Sequence, residues 1–153
     1  MPKTADTSQL DQREIAAWRG FLMAHRSVIG ALDCELEREH GLALSSYEVL
    51  LHLAGSPEHS LRMGELADRL LLSRSGLTRL VDRLAVRGLV ERHSCPSDRR
   101  GTYAQLTDEG SKRFEEVRPT HLRGVREHFL GRVDACDLDR LAAIWDRVLP
   151  AEE

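Results

Sequence analysis

Two short stretches carry the side chains best suited to chemistry. "SRSGLTRLVDRLAVRGL" holds Ser73, Arg74, Ser75, Thr78, Arg79 and Arg83, and "PSDRRGT" holds Asp98, Arg99 and Arg100. Read as a helix, the first stretch places Leu77, Leu80, Val81 and Leu84 at i, i+3, i+4 and i+7, a buried face. The polar set then points outward and crowds the first two turns. A guanidinium can grip a guanine edge or a phosphate with two parallel N–H bonds, and serine and threonine hydroxyls serve either. Gly76 lets the backbone come close, and the amide end of a helix favours anions. These are the means to read a duplex through its major groove.

The second stretch is flanked by "LVERHSC" and "YAQLT", which read as strands, so the two arginines ride on a hairpin. An arginine on a narrow hairpin can enter a minor groove, where negative potential is concentrated. Asp98 pairs with one guanidinium and holds its orientation, while the other reaches outward. The alternative, a Ser-Asp turn carrying two solvated arginines, leaves the neighbouring basic helix without a companion.

The elements needed to position these residues follow from periodicity and caps. A first helix is predicted over Leu10 to Glu39, with Ile15, Trp18, Leu22, His25, Ile29, Leu32 and Leu36 at alternating three and four spacing. A second stripe, Ala17, Phe21, Ala24, Val28 and Ala31, widens the apolar arc beyond what one packing surface needs, so the helix should meet its own lobe and a partner chain. Gly41 is its C-cap. Ser45 and Glu48 stand at capping-box spacing for a second helix, which Gly55-Ser56-Pro57 stops. Leu66, Ala67 and Leu70 mark a third helix, Ser73 caps the basic one, and Gly88 closes it in the left-handed conformation. Thr107 caps the next helix, which Pro119 is expected to kink or split, and Asp137 caps the last.

The 153 residues suffice for one domain, or for two lobes sharing a core. The net charge of −3 is unevenly distributed: residues 62 to 101 carry nine arginines against five acids, so +4 there leaves −7 elsewhere. That local excess fits a polyanionic partner. No apolar run is long enough for a bilayer, and the N-terminus lacks the apolar core of a signal peptide, so a cytoplasmic location and no membrane partner are expected. Three widely spaced cysteines, with no CxxC pair, argue against a disulfide framework. The absence of GxSxG, GxxxxGK[ST] and HExxH motifs leaves no catalytic residues to assign and argues against an enzyme. No metal site and no cofactor are expected.

The stretch "LADRLLLSRSGLTRLVDRLAVRGLVERHSCPSDRRGTYAQLTDEG" resembles the winged helix-turn-helix signature of the MarR family of bacterial transcription regulators, wing "DRR" and following "LT..G" included. The expected fold is mainly α (α+β). Residues 41–107 form a winged helix-turn-helix lobe with a small β-hairpin wing, and long helices in 1–40 and 108–153 form a dimerisation region. The resemblance implies a homodimer on a pseudo-palindromic, double-stranded operator, acting as a repressor and released by a small aromatic or phenolic ligand or by oxidation. Position by position, residues 73 to 83 become the recognition helix, and Asp98, Arg99 and Arg100 the wing.

The family's effector pocket lies between the dimerisation helices and the lobe. Trp18 and His25, with Tyr47 and His52 from the second helix, are the candidates to converge there. Peroxide-sensing members carry a reactive cysteine near the start of the first helix. Cys34 lies toward its far end, on a small-residue strip with Ser27 and Gly30 that reads as close packing. Cys95 offers a redox alternative, because Arg92, Arg99 and Arg100 beside it favour a thiolate. A winged helix that contacts protein rather than DNA is a further alternative, and it calls for an apolar or acidic recognition face.

Overall fold

The computed structural model describes residues 9–95 and 98–149, with the side chains of Cys95 and Asp98 to Arg100 left undescribed. Six helices and a three-stranded antiparallel sheet follow in the order α1 (Gln12–His40), α2 (Leu44–Ala54), β1 (Ser60–Arg62), α3 (Met63–Arg69), α4 (Arg74–Val86), β2 (Val90–Cys95), β3 (Asp98–Leu106), α5 (Asp108–His128) and α6 (Ala135–Val148). The sheet order is β1-β3-β2. This is the mainly helical winged fold expected, with one strand more than a hairpin. β1 pairs Ser60 with Gln105 and Arg62 with Tyr103, and three residues without alternation gave no sign of it in the sequence.

Local caps set most helix ends. Asp11 begins α1 with a capping box: Asp11 Oδ1 accepts from the Arg13 and Glu14 N–H groups, and Glu14 accepts from the Asp11 N–H at 2.7 Å. Gly41 ends that helix at φ 58°. Ser73 Oγ accepts from the Gly76 N–H at 3.1 Å to begin α4, and Gly88 follows that helix at φ 72°. Thr107 caps α5 by accepting from the Gly110 N–H at 2.9 Å, while its own hydroxyl donates to Gly88 O at 2.7 Å. One side chain thus ties the start of α5 to the turn after α4.

Three expectations need correction. Ser45 and Glu48 form no capping box, because α2 already begins at Leu44; the Leu44 N–H donates instead to Asp33 Oδ1 of α1 at 2.8 Å. The last helix is capped by Asp134, whose Oδ1 accepts from the Asp137 N–H, since α6 begins at Ala135. Pro119 does not split α5, which runs unbroken from Asp108 to His128. Val117, two residues before it, and Thr120, directly after it, are buried, and that packing offsets the hydrogen bond proline cannot make.

One core joins the middle of the chain to the helices around it: Leu36 of α1, Tyr47 and Leu50 of α2, Leu77 and Leu84 of α4, and Val117 of α5 are essentially inaccessible. α1 and α5 lie close, since a Cβ at Gly124 would meet Leu32 Cδ2 at 2.6 Å and Glu35 Oε2 at 2.8 Å. Polar contacts line this junction. Arg123 Nη2 donates to both oxygens of Glu39 at 2.8 and 2.9 Å, His40 Nε2 lies 2.8 Å from Thr120 Oγ1, and His128 Nε2 lies 2.6 Å from Glu35 Oε1.

The rest of α1 is different. Only Leu32 and Leu36 of that helix are buried, and none of α6 is. Trp18 is 55% exposed, Leu22 46% and Met23 64%, with Val148 of α6 at 66%. A single chain leaves this face uncovered, which matches the wide apolar arc read from the sequence. The strip of Ser27, Gly30 and Cys34 is exposed as well, so the close packing expected of it is not made within one chain.

Candidate nucleic-acid interface

The α4 helix turns Leu77, Leu80, Val81 and Leu84 into the core, as its spacing requires. Ser73, Arg74, Ser75, Arg79 and Arg83 are exposed, and Thr78 is half-buried at the edge of the same face. Arg79 Nε reaches Ser75 O at 3.4 Å, and the hydroxyls of Ser73 and Ser75 stand 3.3 Å apart. Among the described residues no carboxylate pairs with Arg74, Arg79 or Arg83. Asp82, the one acid on this face, pairs instead with Arg92 of β2 at 3.3 Å. Among the described residues, the outer face of α4 therefore carries guanidiniums without a carboxylate partner.

The wing stands beside it. β2 and β3 pair from Val90↔Leu106 to Ser94↔Thr102, and then the register shifts so that Cys95 opposes Asp98. Arg99, Arg100 and Gly101 are thereby placed in extra backbone length on β3, an irregularity of the bulge type. The side chains of Asp98, Arg99 and Arg100, and that of Cys95, lie outside the described residues, so the brace read for Asp98 and the redox reading of Cys95 remain sequence expectations.

The outer rung of the sheet, Arg62↔Tyr103↔His93, is a stack. Arg62 Nε donates to Tyr103 Oη at 2.9 Å with its guanidinium 5.6 Å from the ring centroid, and His93 lies over the same ring at 5.5 Å. Between α3, α4 and the wing lies an open cleft of about 600 Å³ lined by Arg62, Arg74 and Arg92 among others. Sequence reasoning counted these arginines in a basic segment but gave Arg62, His93 and Tyr103 no role, and Arg92 a role only beside Cys95. Their partners sit on other strands and on α4, beyond the reach of local periodicity.

The four residues expected to form an effector pocket do not meet. Trp18 and His25 line a groove of about 780 Å³ between α1 and α6, together with Phe21, Phe129, Ile144 and Trp145. Tyr47 belongs to the core, 1% exposed, with its ring 5.7 Å from Phe114 and 4.5 Å from His121. His52 is half-buried farther along α2, where burial and the neighbouring Arg69 charge lower its pKa. Tyr47 faces inward on α2, so it cannot share a cavity with the exposed face of α1.

The geometry has parallels among known proteins. A family model described as the MarR family matches residues 40–101. The chain is 34% identical to AbsC, a MarR family transcriptional regulator from Streptomyces coelicolor, and the alignment covers 93% of this chain and 95% of that one with a TM-score of 0.87. The chain belongs to the MarR family. Sco3205, a MarR family transcriptional regulator from the same organism solved in complex with DNA, shares 35% identity over 94% of this chain and 90% of that one, with a TM-score of 0.88. MhqR, an HTH-type transcriptional regulator of Bacillus subtilis, is 30% identical over 104 residues, which is 68% of this chain and 70% of MhqR. The protein is thus a transcriptional regulator of the MarR family with a winged helix-turn-helix. Among its described residues no helix is long and apolar enough to cross a membrane.

Proposed function

We propose that this MarR-family regulator binds a pseudo-palindromic operator as a homodimer and represses transcription from it, in the cytoplasm. The observation that carries the reading is the row of exposed guanidiniums on α4, Arg74, Arg79 and Arg83, which have no acidic partner among the described residues, beside a wing whose strand β3 carries Arg99 and Arg100. Ser73, Arg74, Ser75, Thr78, Arg79 and Arg83 take the major groove. Asp98, Arg99 and Arg100 take the adjacent minor groove. The same face argues against a protein partner, which would call for an apolar or acidic surface.

Residues 41–107 act as the DNA-reading lobe, and residues 1–40 and 108–153 as the region that joins two copies. The uncovered face of α1 and α6 supports this division, because a second copy is the partner that lets Trp18, Leu22 and Val148 leave water. Dimer geometry then places two α4 helices about 34–36 Å apart, one turn of duplex. A small aromatic effector held between the joining helices and the lobes releases the operator by changing that separation. Trp18 and His25 line the groove between α1 and α6, so the aromatic and polar walls they offer lie within the joining region itself rather than at its border with the lobes.

Footprinting the protein on the DNA upstream of its own gene tests the reading. Two protected major-groove segments one helical turn apart, each flanked by minor-groove protection, are the expected pattern. A single unpaired segment, or no protection at all, contradicts it.

A further inference from the structure

We propose that Arg92 is the positioning residue that fixes the wing relative to the recognition helix, and that its contribution to DNA binding passes through the wing rather than through a contact of its own. The inference rests on the DNA-binding reading above and adds to it a residue outside α4 and the wing tip.

Arg92 sits in the rung Arg92↔Ala104↔Leu61. Its two rung partners are buried, so this is the face of the sheet that packs on the helices. A cation on that face needs a destination. The guanidinium finds one on α4: Nη1 lies 3.3 Å from Asp82 Oδ1, and Nη2 donates to Thr78 O at 3.4 Å. A planar fork that meets one carboxylate and one backbone carbonyl fixes direction as well as distance, which a single ammonium cannot do. Both anchor points lie on the DNA-facing half of α4, and Thr78 is one of the residues assigned to the groove. The wing leaves the body of the lobe as two strands, and this fork is planted on β2 just before the register shift that carries Arg99 and Arg100. Long, partly exposed contacts of this kind add little to global stability. Their effect is to set the angle between the two parts of the protein that must enter neighbouring grooves together.

The test is a double-mutant cycle on operator DNA, with folding of each variant checked by circular dichroism and thermal denaturation. Arg92→Met should weaken binding about tenfold in the native background and less than about twofold when Arg99→Ala and Arg100→Ala are already present, because the route through the wing is then gone. Equal losses in both backgrounds mean that Arg92 touches the DNA directly, and overturn the proposal.

Asp82→Asn approaches the same contact from the other side, and it remains informative if Arg92→Met does not fold. Removing a negative charge from the recognition helix should by electrostatics alone tighten binding to a polyanion. Loss of the anchor should weaken it and blur minor-groove protection while the major-groove footprint stays. Tighter binding with the wing footprint intact contradicts the positioning role. A wild-type protein without DNA affinity defeats the functional reading itself, whereas an additive cycle on a protein that does bind defeats only the role of Arg92.

Discussion

Phe21 of α1 and Trp145 of α6 meet at 5.6 Å between ring centroids, and they join the two helices across a face that one chain leaves open. Trp18 extends the cluster, 5.9 Å from Phe21. If this face is where two copies meet, Leu22→Glu should yield a monomer in sedimentation velocity. Leu22 is already 46% exposed, so the lobe should lose no more than about 0.5 kcal/mol of stability. Operator affinity should fall roughly a hundredfold, because two linked half-site contacts become one. A variant that stays dimeric with full affinity would place the interface elsewhere.

Ser73 caps α4, and its proposed contact with DNA can be tested apart from that role. Its hydroxyl accepts from the Gly76 N–H, and it stands at the end of α4 assigned to the DNA. Ser73→Ala should cost about 1 kcal/mol in thermal denaturation and weaken binding as well. Ser73→Asp restores an N-cap but sets a carboxylate against phosphate, so stability should return while affinity does not. Recovery of both would show that Ser73 acts only as a cap.

Gly110 is the glycine of the "LT..G" signature, and the fold explains it. A Cβ there would lie 2.0 Å from Leu89 O and 2.8 Å from Leu106 Cδ1. The start of α5 rests directly on the backbone after α4, at the point where Thr107 bonds to Gly88 O. Gly110→Ala should therefore cost roughly 2 kcal/mol or more in chemical denaturation, although alanine favours helix. A neutral or stabilising result would mean that α5 can shift without loss.

These examples also show where sequence reasoning reaches its limit. The Ser73 and Thr107 caps, the left-handed Gly41 and Gly88 and the buried face of α4 depend on neighbours within a turn or two, so residue types and spacing reveal them. The cap of α2 comes from Asp33 on another helix, β1 exists because β3 pairs with it, and Arg92 finds Asp82 across the lobe. The pocket expected from Trp18, His25, Tyr47 and His52 failed for the same reason. Spacing assigns each residue to a face, but only the packing of α2 against α5 sends Tyr47 to Phe114 and His121 and away from α1.

His121 sits against Tyr47 with its Nδ1 shielded and without a hydrogen-bond partner among the described residues. Burial lowers its pKa below 6.5, and burial with the Arg69 charge does the same for His52. Between those lowered values and 6.5 the unfolded chain binds more protons than the folded one. Stability therefore rises with pH through that window, is complete above it and is lost as pH falls through it. The melting temperature should drop from about pH 7.5 to about pH 5.5, and His121→Gln should flatten part of that slope while His52 retains the rest. A slope unchanged by the substitution would remove His121 from the account.

The central claim is that α4 and the wing share the work on DNA, and affinity for the DNA upstream of the gene measured across salt concentrations tests it most directly. Log affinity should fall linearly with log salt, with a slope of about −0.9 for each phosphate neutralised. Arg99→Ala and Arg100→Ala should weaken all sequences alike and each reduce the slope by about one contact, while Arg79→Ala should erode discrimination between operator and unrelated DNA. A flat salt dependence, or equal loss of discrimination at all three positions, would contradict the account.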